Sequence, residues 1–195
     1  FNDTATTEIY TLSLHALFRS LARRLARMDK TAFFTMTSGL YVVSAAAGDR
    51  KAGCVVNTAV QVTSSPARIS VAVNKENFTA GVIADAGAFA VTVIDQTADM
   101  IYIGNFGFRT SANFDKFERY EERQTALGAP YVPEHATALF SCRLVETLDV
   151  GTHLLFIGEV EDAQKLSDEV PLTYDYYHKV LKGKTPPKAS SYIEY

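Results

Sequence analysis

Between residues 57 and 79 the chain gathers Asn57, Thr58, Gln61, Thr63, Ser64 and Ser65, then Asn74, Lys75, Glu76, Asn77 and Thr79. Hydroxyls, amides and backbone N–H groups that follow a strand donate to phosphate oxygens, and Lys75 adds a positive charge. Thr79 stands at the start of an expected helix, whose N-terminus carries partial positive charge. The cluster therefore suits a phosphorylated ligand. The same residue types also build turns, and composition alone leaves that alternative open. Other chemistries find less support, since the sequence has no Walker loop, no GxGxxG fingerprint and no GxSxG elbow. His15, His135, His153 and His178 form no HxH or HxxxH pair, and Cys54 and Cys142 no CxxC pair, so a metal site is a poor reading. His153 opens an apolar run, where a lone histidine more often serves as a structural hydrogen-bonding group.

Short β runs surround these residues. Two apolar segments, 40–45 and 52–57, flank the polar turn Gly48-Asp49 and predict a hairpin. Ile69 to Asn74 alternates with period two, as a half-buried strand does. Thr79 to Ala86 is an expected helix stopped by Gly87, and 89–94 a further strand. Runs 138–145 and 153–160, separated by Asp149-Val150-Gly151, predict a second hairpin. About six strands with few helices favour an antiparallel barrel over a doubly wound sheet. Residues 100–133, rich in Phe, Tyr and charge, read as a helical or irregular excursion from that barrel, the kind of segment that often carries binding residues.

The 195 residues are 47% apolar and 21% charged, which suits one folded domain, with or without an appendage, and argues against wholesale disorder. No apolar run reaches membrane-spanning length. A net charge of -3 lacks the basic surplus of a nucleic-acid binder. The two isolated cysteines sit in apolar segments, as buried thiols of a reducing, cytoplasmic compartment do. Positive charge is concentrated in 1–27, where Arg19, Arg23, Arg24 and Arg27 interleave Leu14, Leu17, Phe18, Leu21 and Leu25. That pattern fits a basic amphipathic helix, or a non-native leader ahead of a start at Met28. We expect the leader, with a domain over 28–191 and a linker-like tail at 192–195.

The stretch AGCVVNTAVQVTSSP at 52–66 with VNKENFTAGVI at 73–83 resembles the flavin reductase-like family, which has an FMN-binding split-barrel fold. Thr37 to Val43, Phe114-Asp115-Lys116-Phe117, and Gly151-Thr152-His153 with Gly158-Glu159-Val160 agree with it, although Thr152 stands where many members carry Asp. Tyr174 to Lys179 and Lys184 to Ala189 are similar to the flavoprotein part of high-molecular-weight rubredoxins and to flavoredoxins, without the CxxCG pair of a rubredoxin module.

The resemblance implies a mainly β, six-stranded antiparallel split barrel with Greek-key character and a few short helices. It implies FMN held without a covalent link at a homodimer interface. Electrons would come from NADH or NADPH and pass to a rubredoxin-type carrier or free flavin. A flavoprotein reduced by a protein donor and a non-catalytic FMN-binding module remain alternatives. By the same resemblance Val55, Val56, Asn57 and Thr58 face the isoalloxazine, Gln61, Val62 and Thr63 the ribityl chain and phosphate, and Lys75, Asn77 and Thr79 the phosphate. His153 is the candidate catalytic residue beside the flavin. Phe106 and Arg109 on the excursion would close over it, and the tyrosines near 174–177 would cap the ring or pack at the dimer seam.

Overall fold

The computed structural model describes residues 14–21 and 29–192. Of the expected leader, 1–13 and 22–27 lie outside the described residues, with Met28; so do 193–195 of the tail. The chain divides into two compact units, Phe1–Met36 and Thr37–Tyr195. In the first, residues 14–21 are helical, and a 3-10 helix at Lys30–Thr35 is capped by Asp29, whose carboxylate accepts from the Thr31 N–H at 2.9 Å.

The second unit is an antiparallel sheet of seven strands: β1 (Tyr41–Ala47), β2 (Arg50–Val56), β3 (Val60–Ser64), β4 (Ala67–Asn74), β5 (Ala88–Ile94), β8 (Ala136–Asp149) and β9 (His153–Lys165), in the order β2-β1-β5-β8-β9-β4-β3. A separate two-stranded ribbon pairs β6 (Arg123–Gln124) with β7 (Pro130–Tyr131). Three helices complete the unit, α1 (Phe78–Ala86), α2 (Met100–Phe108) and α3 (Tyr174–Lys179).

The fold class is as the sequence implied, with seven strands in the main sheet rather than six. The additional strand is β3. It forms the sheet edge with every side chain exposed and a register shift between Gln61 and Thr63, so the alternation Val60-Gln61-Val62-Thr63 marks no buried face within the chain.

The sheet curls because residues of both its halves share one core. Val43, Cys54, Val71, Val73, Phe89, Val91, Cys142 and Phe156 are buried together, and α1 contributes Ala80, Val82 and Ile83 to them. Full burial of each large aliphatic or aromatic side chain is worth about 1.5–3 kcal/mol, which outweighs the modest propensity of α1. That helix starts at Asn77, whose side chain accepts from the Thr79 N–H, and ends at Gly87 with φ 64°, a left-handed position that glycine takes without strain. On β9, Gly158 serves close approach instead. A Cβ there would lie 2.5 Å from Phe89 Cζ and 2.7 Å from Cys142 Cβ.

A second core lies on the outer face of β1 and β2. Leu40, Val42, Ile94, Tyr102, Ile103, Phe106, Phe117, Leu172 and Tyr177 bury one another there, so α2 and α3 are held on the sheet by aromatic packing. Among the described residues no helix is long and apolar enough to cross a membrane.

The polypeptide itself joins the two ends of the sheet. Between Val56 and Val60 it steps from β2 at one edge to β3 at the other, and Thr58 marks the crossing. Its hydroxyl donates to the Ala72 carbonyl at 2.7 Å and accepts from the Ala72 N–H at 3.2 Å. Beside that crossing β2 and β4 are not paired with each other, which leaves the barrel split there.

Candidate functional site

The split opens a cleft with a cavity volume of about 100 Å³. Its apolar surface comes from Leu40, Val55, Val56, Val73 and Ile103, and its polar rim from Asn57, Thr58, Asn74, Asn77 and His153. Gly107 and Phe108 close one side at the end of α2, and Tyr174 and Tyr177 of α3 another. Residues 184–186 and 188–191 supply the rest of the wall.

Local structure sets each polar group. Asn74 ends β4 and is the register partner of His153, the first residue of β9. The Lys75 N–H donates to the Thr152 carbonyl at 3.1 Å, which fixes the turn that delivers the imidazole. His153 Nδ1 lies 2.8 Å from the Thr152 hydroxyl. Burial lowers the pKa of His153, with the Lys188 backbone acting against it, so the ring is neutral at pH 7. It can steer a ligand by hydrogen bonding rather than by charge.

Asn74 and Asn77 build the turn between β4 and α1. The Asn77 N–H donates to the Asn74 carbonyl at 2.9 Å, while the Asn74 side-chain oxygen accepts from the Glu76 N–H at 2.9 Å. Asn77 Oδ1 is used for the Thr79 N–H at 3.0 Å.

Of the residues expected at a ligand, Val55, Val56, Asn57, Thr58, Asn77 and His153 line the cleft. The others lie elsewhere. Gln61, Val62 and Thr63 are on the exposed β3 edge, where Gln61 donates to the Thr63 carbonyl and Thr63 to the Pro66 carbonyl. Lys75 is ion-paired with Asp149 at 2.6 Å. Thr79 is fully buried in α1 beside the Cys54 thiol, away from the cleft. Phe106 is fully buried against Tyr102 and Phe117, one residue short of the cleft, and the Arg109 guanidinium stacks 4.3 Å from the Phe114 ring centre.

One residue beneath the site carried no sign of its role in the sequence. Lys116 is 2% exposed, and its Nζ donates to the carbonyls of Gly53 at 2.7 Å and Phe106 at 2.9 Å. The ammonium thereby ties β2 to the C-terminal end of α2, the two elements whose next residues form the cleft. Burial draws its pKa down to about 8, opposed by a smaller attraction to Cys54. The sequence sets Lys116 between Phe114 and Phe117 in an element that carries the family resemblance, but its burial rests on carbonyl partners that this local pattern does not reveal.

A cleft with an apolar floor, neutral donors and no lining carboxylate suits a planar, electron-accepting ring that carries an anionic tail. Known proteins decide the family, because the model of the flavin reductase like domain matches residues 33–181.

The chain belongs to the flavin reductase like domain family.

This flavin reductase-like oxidoreductase is 44% identical over 167 residues to a ferric-chelate reductase (NAD(P)H) of Archaeoglobus fulgidus, covering 86% of this chain and 99% of the relative. It is 40% identical over 165 residues to a high molecular weight rubredoxin of Moorella thermoacetica, covering 85% and 72%. Among solved structures it matches BorF, the flavin reductase component of a bacterial two-component tryptophan halogenase. The TM-score is 0.66 at 25% identity, over 78% of this chain and 92% of that one.

Proposed function

We propose that the cleft holds FMN non-covalently and that the protein reduces it with NADH or NADPH, passing the electrons to a rubredoxin-type carrier or to free flavin. The observation that carries this reading is the donor set at the split. The side-chain amides of Asn57, Asn74 and Asn77 border an apolar floor, and no carboxylate is among the described lining residues. Such a lining favours a ring that gains electron density, because donors are present and no fixed negative charge opposes it.

Bound FMN supplies the acceptance of hydride and its release as electrons. The chain's own residues supply position and exclusion. Asn57 and Thr58 hold the ring edge, Asn74 and Asn77 order the turn at the phosphate side, and His153 orients the nicotinamide. Tyr174 and Tyr177 keep water from the apolar floor. The ferric-chelate reductase relative is named for NAD(P)H and the rubredoxin relative for an iron carrier, which supports both ends of the proposed electron path.

A homodimer belongs to the same proposal. Val60 and Val62 expose 57% and 48% of their surface on an unpaired sheet edge, so a second copy has an apolar strand to cover. It would also give Gln61, Val62 and Thr63 a ligand to meet. The buried thiols of Cys54 and Cys142 support a cytoplasmic setting.

Anaerobic stopped-flow mixing tests the reading. The FMN-loaded protein should lose its flavin absorbance within seconds on mixing with NADH or NADPH. A protein that binds FMN but bleaches only with a reduced protein donor is an electron-transfer flavoprotein, and one that bleaches with neither is a binding module.

A further inference from the structure

Resting on the flavin reading above, we infer that the segment 184–191 is a built part of the binding site and that Lys184 and Lys188 receive a phosphate monoester of the bound ligand. The inference begins with where positive charge is available. Lys75, the cation that the sequence offers for a phosphate, is engaged by Asp149 at 2.6 Å and does not line the cleft. The ammonium of Lys116 lies beneath the cleft and is committed to two carbonyls. Lys184 and Lys188 are the charged residues that do line it, and no carboxylate lines it with them.

The segment is anchored rather than draped. The Tyr177 hydroxyl donates to the Lys184 carbonyl at 3.0 Å, and the Tyr174 hydroxyl lies 2.6 Å from the Thr185 hydroxyl and 2.7 Å from that of Ser191. The Asn74 amide donates to the Lys188 carbonyl at 3.1 Å. These four bonds, with those that join Asn57 to Ser190 and Ser191, fix the segment that carries the two lysines. Lys184 enters no ion pair among the described residues. Lys188 pairs with Glu76 at 2.6 Å, both side chains more than half exposed, a weak contact that a phosphate dianion can replace.

Two phosphate monoesters are available to such a pair under the proposed function, the 5′-phosphate of FMN and the 2′-phosphate of NADPH. Four equilibrium titrations separate them: FMN and riboflavin with the apoprotein, and NADP+ and NAD+ with the flavin-loaded protein. Each uses the full chain, with flavin fluorescence or calorimetry as the readout. In Lys184→Ala/Lys188→Ala, one of the two preferences, FMN over riboflavin or NADP+ over NAD+, should fall at least tenfold while the other stays within twofold. Lys184→Arg/Lys188→Arg should keep both, because the charge is retained. The pair that collapses identifies the source of the phosphate. Unchanged preferences in the alanine variant would overturn the inference and leave the flavin reading intact. So would an equal loss of all four ligands, which would make the segment a structural wall. A wild-type chain that binds none of the four would refute the flavin reading, and this inference with it.

Discussion

Lys116 turns burial into a pH dependence with a defined sign. Its ammonium is 2% exposed and its pKa is about 8 in the fold, against 10.5 for an ordinary lysine. Between those values the unfolded chain binds one more proton than the folded chain, so stability rises with pH there. Below about pH 8 the charged group is a standing cost of burial, and that cost is relieved as the folded-state proton leaves. Integrating the proton difference from pH 7 to pH 10 gives about 2–3 kcal/mol.

Other groups work the opposite way. Burial raises the pKa of Tyr102, Cys54 and Cys142, the last to about 12, so their contribution falls as the solution becomes alkaline. The comparison must therefore be made against Lys116→Met, which keeps those groups and removes only the titrating amine. Its stability at pH 7 reflects two competing effects, since it loses two bonds to carbonyls but no longer buries a charge. The change with pH is free of that ambiguity. Urea unfolding from pH 7 to 10 should show the wild type gaining about 2–3 kcal/mol on the methionine variant. Parallel stability curves would refute the reasoning and show that Lys116 keeps an ordinary pKa in the folded protein.

Four further outcomes follow from the same geometry. His153→Ala should retain FMN within a factor of about three but slow NAD(P)H-driven reduction tenfold or more in stopped flow; equal loss of both makes the residue structural. Gly158→Ala should lose about 1–3 kcal/mol in chemical denaturation, because Phe89 and Cys142 occupy the space of the new methyl. Asn77→Ala should cost about 1 kcal/mol through loss of the α1 cap and weaken FMN binding in the same titration, whereas Asn77→Ser should recover most of the stability. Lys75→Ala should change stability by less than about 1 kcal/mol, since its partner Asp149 is largely exposed.

Much of the fold was legible because its signals are local. The first hairpin shows in two apolar runs around Gly48-Asp49, and the end of α1 in Gly87. The helix start was read one residue late, at Thr79, and the structure begins it at Phe78 after the Asn77 cap. The edge strand β3 was read as a polar cluster because neither of its faces is covered in the chain.

The site divides along the same line. Val55 to Thr58, Asn77 and His153 line the cleft; residue type nominated Asn57, Thr58 and Asn77, and the family resemblance was needed for Val55, Val56 and His153. Two features needed contacts distant in sequence. Asp149, which engages Lys75, lies 74 positions away, and the Gly53 carbonyl that fixes Lys116 lies 63 away. The segment 184–191 was assigned to the domain by resemblance without a role at the site, and its bonds to Asn57, Asn74, Tyr174 and Tyr177 place it at the cleft.

The pairing of β4 with β9 also constrains how the protein is made. Arg68 finds its partner at Glu159, and the whole ladder joins residues 68–74 to 153–159. A ribosome adding about 5–20 residues per second needs roughly 5–20 seconds to deliver β9 after β4 has emerged. Throughout that interval the β3–β4 hairpin has one long edge with no strand beside it, and Ile69, Val71 and Val73 have no finished barrel to enter. The nascent chain is then most open to association with other chains, so its yield in a cell should depend more on translation speed and chaperone supply than on the stability of the finished barrel.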